Sequence, residues 1–250
     1  MLLDTDNKGR TVFHVAAVLS EPEIFQEILN LVKENLKTEE LNKMLLATDN
    51  EGRTFLHMAA KLSKPEIFQG ILNLTKKDLT TDEVNKILLA TDNKGRTFFH
   101  MASKMSKPEI FQGILNLAKK NLTTDEVNKM LLATDNEGRT FFHMAAKLSK
   151  PEIFQGIFNL ATQNLTTEEL HKILLATDNE GRTFFHMAAK LSKPEVFQGI
   201  LNLAKEELTR EEVNKMLLAT DNEGKSGFMW QQCYLNQRYF REYLIWLKRI

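Results

Sequence analysis

One phrase is repeated along the whole of this chain. The string "TDNEGRTFFHMAAKLSKPEIFQGI" at Thr134 recurs in near-identical form from Thr5, Thr48, Thr91 and Thr177. A damaged copy starts at Thr220, and each start lies 43 residues after the last. A fixed period of this length marks a stacked array rather than one spherical core, because each unit leaves an apolar face that only a neighbouring copy can cover. The units are 5–47, 48–90, 91–133, 134–176 and 177–219, with 220–250 as a diverged remainder.

The unit at Thr48 shows the local chemistry. "TDNEG" is turn chemistry: Asp49 and Asn50 can bond their own backbone, and Gly52 tolerates positive φ. Thr54 is placed to N-cap a short helix over Phe55 to Leu62, in which the small Ala59 and Ala60 let neighbouring helices approach closely. In "SKPEIFQGILNL", Ser63 and Glu66 have capping-box spacing and Pro65 falls in the first turn. Ile67, Phe68, Ile71 and Leu72 follow with helical period. In "LTTDEVNKILLA", Thr80 and Glu83 repeat the capping-box spacing ahead of the stripe Val84, Ile87 and Leu88. The unit reads turn, helix, helix, helix, and no segment sustains the two-residue alternation of a strand.

Asp49 to Ala60, "DNEGRTFLHMAA", resembles the ankyrin repeat, whose turn and first helix read D-x-x-G-x-T-P-L-H-x-A-A. "EIFQGIL", Glu66 to Leu72, is similar to that family's second helix. An ankyrin unit usually has about 33 residues; this one is longer, and the surplus lies around "LTTDEVNK". The resemblance implies an all-α helical repeat solenoid: an ankyrin-like stack of five long-form repeats, each with an extra helix, plus a diverged C-terminal capping repeat. Two departures stand out. Val12, Phe55, Phe98, Phe141 and Phe184 occupy the position of the family's proline, and the added helix can replace or distort the usual hairpin finger. A HEAT- or armadillo-like solenoid, with a period of about 40–47 residues, is the alternative fold; the G-R-T-x-x-H motif favours ankyrin.

The ends differ from the middle. Shifted by one period, Ser226 falls on Thr183, Met229 on His186, and Gln231 and Gln232 on the alanine pair. Phe240, Leu244 and Trp246 keep the apolar stripe of a second helix. Polar replacement on one face is what a terminal repeat requires. "MLLDTDN" aligns with "MLLATDN" at Met44, so the chain opens mid-unit, and the expectation is a fragment of a longer array.

Charge and composition narrow the function. Lys and Arg number 33, as do Asp and Glu, and this zero net charge argues against bulk electrostatic binding to nucleic acid or an anionic membrane. No apolar run reaches the length of a membrane span. The single Cys233 excludes an internal disulfide and a cysteine-built zinc site. "MLLDTDNKGR" is too short and acidic for a signal peptide, and the expected compartment is reducing and cytoplasmic. His14, His57, His100, His143 and His186 form a ladder, but one ring per stacked layer cannot share an ion. The ankyrin resemblance implies that this histidine bonds backbone and neighbouring turns. His171, standing where other copies have asparagine, is expected to be exposed. "EGKS" at Glu223 lacks the earlier glycine and preceding strand of a phosphate loop. No nucleophile, base and orienting group form a constellation, so no catalytic residue, cofactor or metal is expected and the chain reads as no enzyme.

The resemblance implies a non-catalytic protein–protein interaction module or scaffold, working through its turn tips and the exposed side of each first helix. Carried onto this sequence, the candidate partner-binding residues are Asn50, Glu51, Arg53 and Lys61, and then Asn93, Lys94, Arg96 and Lys104. In the later copies they are Asn136, Glu137, Arg139 and Lys147, and Asn179, Glu180, Arg182 and Lys190. A solvated charged face is the plain alternative for any one of them. Arg and Lys outnumber Glu in these rows, which points to a mildly basic ladder and an acidic partner segment, bound by a monomer. The row Phe55, Phe98, Phe141 and Phe184 is either buried packing or exposed contact. A structural or spring-like part of a larger multi-repeat protein, or an effector or toxin component, are the other functional readings.

Overall fold

The computed structural model describes residues 4–19, 22–62, 70, 79–105, 108–147, 151–191, 194–227, 229 and 230. These hold fourteen α-helices and no β-strand. First helices run over Val12–Leu19, Phe55–Leu62, Phe98–Met105, Phe141–Lys147 and Phe184–Leu191. Second helices run over Pro22–Asn35, Pro108–Asn121, Pro151–Asn164 and Pro194–Glu207. Third helices run over Thr38–Leu46, Thr81–Leu89, Thr124–Leu132, Thr167–Leu174 and Arg210–Leu218. The capping box of Ser63 and Glu66, Pro65, and the tail with Gln231, Gln232, Phe240, Leu244 and Trp246 lie outside the described residues.

Each helix start has a local cause. The second helices open on proline, whose missing N–H would have had no partner in a first turn. Before Thr81–Leu89, Glu83 N–H donates to Thr80 Oγ1 at 3.3 Å while Thr80 N–H donates to the Glu83 carboxylate at 2.8 Å. The same reciprocal cap holds at Thr123 with Glu126, Thr166 with Glu169 and Thr209 with Glu212.

The chain forms two compact units, Met1–Asn136 and Glu137–Ile250. In the first unit, the first helices of repeats 1 to 3 lie side by side, and so do their third helices. Phe13, Phe25 and Phe55 form a cluster there, with ring centroids 5.4 to 6.3 Å apart. In the second unit, the first helices of repeats 4 and 5 pair, as do their second helices. The equivalent rings Phe142, Phe154 and Phe184 lie 5.3 to 5.9 Å apart. Each cluster takes two rings from one repeat and the third from the next, so a lone repeat could not close it. Phe55, Phe98, Phe141 and Phe184 are at most 1% exposed. Packing, not partner contact, is their role, and burying each stabilises the fold by about 1.5–3 kcal/mol.

A polar row runs along the third helices. Asn42 Nδ2 donates to the Glu83 carboxylate in the first unit. In the second unit His171 occupies the asparagine position, and its Nε2 meets the Glu212 carboxylate. The expectation that His171 is simply exposed is therefore corrected: it is half-buried and paired across repeats. Burial pushes the Glu212 carboxyl up, but the bonds from Thr209 and His171 outweigh it and hold the group below its ordinary range.

Candidate protein-interaction face

The turn between repeats carries most of the candidate residues, and "DNEGR" closes it in a definite way. Asp49 N–H donates to the Arg53 carbonyl and Gly52 N–H to the Asp49 carbonyl, both at 2.9 Å. The Asp49 carboxylate then accepts four bonds. Oδ1 takes the backbone N–H groups of Glu51 and Arg53 at 2.9 Å each. Oδ2 takes Arg53 Nε at 2.8 Å and Nη2 at 2.7 Å. Asp92 and Asp178 repeat the arrangement with Arg96 and Arg182. Burial raises Asp49 and Asp92, and the arginine bonds overcome it, so both carboxyls sit below their ordinary value. In the first turn the Arg10 side-chain bond leads, and Asp6 falls to about 2.

The arginine row therefore belongs to its own turns. Arg53, Arg96, Arg139 and Arg182 are only 13 to 16% exposed at the side chain. Their remaining edge reaches the acidic tip residue where there is one: Arg53 to Glu51 at 2.9 Å, and Arg139 to Glu137 and Arg182 to Glu180 at 2.5 Å. Those carboxylates stay outward, at 61 to 68% exposure. Lys94 stands at the matching tip of repeat 3 and is exposed.

The asparagine row stitches one tip to the next. Asn93 N–H donates to the Glu51 carbonyl and Asn136 N–H to the Lys94 carbonyl, at 3.0 Å. Asn93 Nδ2 donates to the Asn50 carbonyl and Asn136 Nδ2 to the Asn93 carbonyl, at 3.2 Å. In the second unit Asn179 N–H donates to the Glu137 carbonyl at 2.9 Å and Asn222 N–H to the Glu180 carbonyl at 3.0 Å. The histidine row is a second stitch. His57 Nε2–H donates to the Arg96 carbonyl at 2.7 Å, while Nδ1 accepts the Thr54 hydroxyl at 2.8 Å. Thr54 thus gives its hydroxyl to the ring, where the sequence had it capping the helix backbone. His14, His143 and His186 make the same pair of contacts.

The lysines lie on the last turns of the first helices. Lys104 and Lys147 are exposed, and the side chain of Lys61 lies outside the described residues. Lys190 Nζ sits 4.2 Å above the Trp230 ring. Among the described residues no three His, Cys, Asp or Glu side chains gather to hold a metal ion, and no helix is long and apolar enough to cross a membrane.

Trp230 is the residue that sequence reading missed. In the sixth turn Lys225 replaces the arginine, and its ammonium reaches Glu223 at 2.6 Å rather than forking onto Asp221. Trp230 Nε1–H fills the gap, donating to Asp221 Oδ2 at 2.8 Å. The available signal was that Arg→Lys at 225 coincides with Met→Trp five positions on. In a turn without that tryptophan, Arg96→Lys leaves the buried Asp92 carboxylate short of a donor. The expected loss is about 1–2 kcal/mol, read as a lower urea midpoint.

No family model matches the chain, and a search of curated proteins finds no match. Among solved structures, the ankyrin repeat domain of Bcl-3, a member of the IkappaB protein family, is similar to it. The TM-score is 0.64 at 15% identity, over 96% of this chain and 84% of that one. At that identity the likeness is one of fold, and it sets the HEAT- and armadillo-like alternatives aside: this chain has the ankyrin-repeat fold.

Proposed function

We propose that the chain is a non-catalytic protein–protein interaction module. Five ankyrin repeats lengthened by a third helix span 5–219, 220–250 is a diverged cap, and the compartment is cytoplasmic. The ankyrin-repeat fold generally serves as such a module. The observation that supports it here is the division of labour at the turn tips of each unit. The Asn and Arg rows bond turn to turn and within each turn, so the side chains between them project in a fixed register. A surface already ordered loses little side-chain freedom on binding.

The partner contacts then fall to the outward groups, Glu51, Lys94, Glu137, Glu180, Lys104 and Lys147, with Lys190 half-exposed above Trp230. The arginine charge is matched inside each turn by aspartate, so an acidic partner segment is met by Lys104, Lys147 and Lys190. The test uses two baits in capture from source lysate: the native chain, and a chain with K104E, K147E and K190E, both checked by circular dichroism. A partner held by the native bait, lost to the triple variant and weakened by salt supports this face. A partner held equally by both baits moves the site elsewhere.

A further inference from the structure

The ladder histidines are held by partners that cannot change roles. His57 Nε2 lies 2.7 Å from the Arg96 carbonyl, a group that only accepts, so Nε2 must carry a proton. Nδ1 lies 3.2 Å from the Thr54 backbone N–H, a group that only donates, so Nδ1 must be bare. One neutral tautomer satisfies both sides. A second proton would set Nδ1–H against the Thr54 N–H. The Thr54 hydroxyl can turn to accept, but the amide cannot, and Thr54 is 1% exposed, so the amide would be stranded.

These bridges are joined end to end. The Arg53 carbonyl that accepts from His14 and the Thr54 N–H that donates to His57 are two ends of one peptide group. The Arg96–Thr97 peptide does the same between His57 and His100, with Thr97 N–H 3.2 Å from His100 Nδ1. In the second unit the Arg182–Thr183 peptide joins His143 to His186, and His186 Nε2 donates to the Lys225 carbonyl at 3.0 Å. Within each unit imidazole and peptide groups alternate in one hydrogen-bonded line, and each bond polarises the next. All five rings are buried.

The surroundings do not invite a second proton. The first helices carry no carboxylate, and their only charged residues are the closing lysines. On the second helices Glu23, Glu27, Glu34 and Glu206 are exposed. The charges that bear on the rings come from the turns. Asp92 and Asp49 favour a proton on His57, and Arg96 opposes it. Asp49 favours one on His14, against Arg53 and Arg10; Asp221 and Asp178 favour one on His186, against Arg182. Those aspartates are already engaged, three by the arginine of their own turn and Asp221 by Trp230. Burial outweighs their pull and pushes the His14, His57 and His186 imidazolium down.

We propose that the histidine ladder is an acid-sensitive lock on the stacked repeats. Within each unit its rings take up protons together, as the contacts between repeats open, and not one by one in the folded chain. A ring gains its second proton only once the threonine N–H has left Nδ1. That N–H shares its peptide group with the carbonyl bound by the preceding ring, so one opening loosens two bridges. Acidification through the ordinary imidazole range therefore releases the stack over a narrow span of pH.

Urea held just below the unfolding midpoint of neutral pH brings the acid transition between about pH 6.5 and 5, above the carboxylate range. Ring-nitrogen NMR of histidine-labelled protein then reports the folded and unfolded chains side by side, and His171→Asn identifies the one ring outside the ladder. The ladder rings of the folded chain should keep the Nε2–H tautomer at every pH. Imidazolium signals should arise only with unfolding, in a transition that takes up about two protons or more. His57→Gln, which can still donate to the Arg96 carbonyl, should lower that count by about one, with circular dichroism checking its fold. A ladder ring whose folded signal moves smoothly to the imidazolium position overturns the proposal. So does a native transition that takes up one proton or fewer, or a folded His57→Gln chain with native steepness.

Discussion

Gly95→Ala unfolds the chain at a clearly lower urea concentration than Gly224→Ala, although the two glycines share one backbone conformation. Their φ values are +72° and +74°. A Cβ in that left-handed region costs about 1–2 kcal/mol at either site. The surroundings differ. At Gly224 a Cβ would meet nothing within 4 Å, whereas at Gly95 it would overlap Asn136 Oδ1 and lie 2.6 Å from Asn136 N. The second of these is backbone and cannot swing aside. Relief requires Asn136 to withdraw, breaking its N–H bond to the Lys94 carbonyl and its Nδ2 bond to the Asn93 carbonyl. Gly224→Ala should therefore lose about 1–2 kcal/mol, and Gly95→Ala a further ~1–3 kcal/mol. Urea melts followed by far-ultraviolet circular dichroism measure the difference, with slopes compared because repeat arrays can unravel in steps. Equal losses would mean that the asparagine ladder adds nothing to the contact between repeats.

That ladder marks the boundary of what a single sequence discloses here. The period and the helix starts were legible because their causes are local: Thr80 and Glu83 stand three residues apart, and proline opens each described second helix. The Phe55 row stayed undecided, since helical periodicity places a ring on a face without saying what covers it. The cover is Phe13 and Phe25 of the preceding repeat. The arginine row looked outward because its lock, Asp49 with Arg53, is itself part of the turn, and the spacing of four residues was read only as backbone chemistry. His171 looked like a surface residue because Glu212 stands 41 positions away. Contacts that cross repeats were the ones hidden, except where the ankyrin motif already implied them, as it did for the histidines.

His57→Leu tests that implied role through two independent readouts. Leucine fills much of the volume but can neither donate to the part-buried Arg96 carbonyl nor accept from the buried Thr54. Each stranded partner costs about 1–3 kcal/mol, so the variant should lose about 2–5 kcal/mol at neutral pH. The second readout is the pH dependence. Burial pushes the His57 imidazolium down, and although the Arg96 carbonyl pulls the other way, the group ends below its ordinary value of 6.5. His14 and His186 are lowered for the same leading reason. Above about pH 6.5 the ring is neutral whether the chain is folded or not, and the full stability is present. Below it the unfolded chain takes up a proton that the folded chain refuses. Stability therefore falls as pH falls, by up to about 1.4 kcal/mol per pH unit for each such ring. The lowered carboxyls Asp49 and Asp92 follow the same sign, but their loss begins only below the ordinary 3.8. Between about pH 6.5 and 5 the histidines govern the slope. Removing one ring should flatten that slope by up to one proton's worth, even as it lowers the midpoint at neutral pH. A variant that loses stability with an unchanged slope would show that His57 binds its proton equally in both states. The ring would then be a filler of space between repeats rather than the neutral hydrogen-bonded bridge its two nitrogens describe.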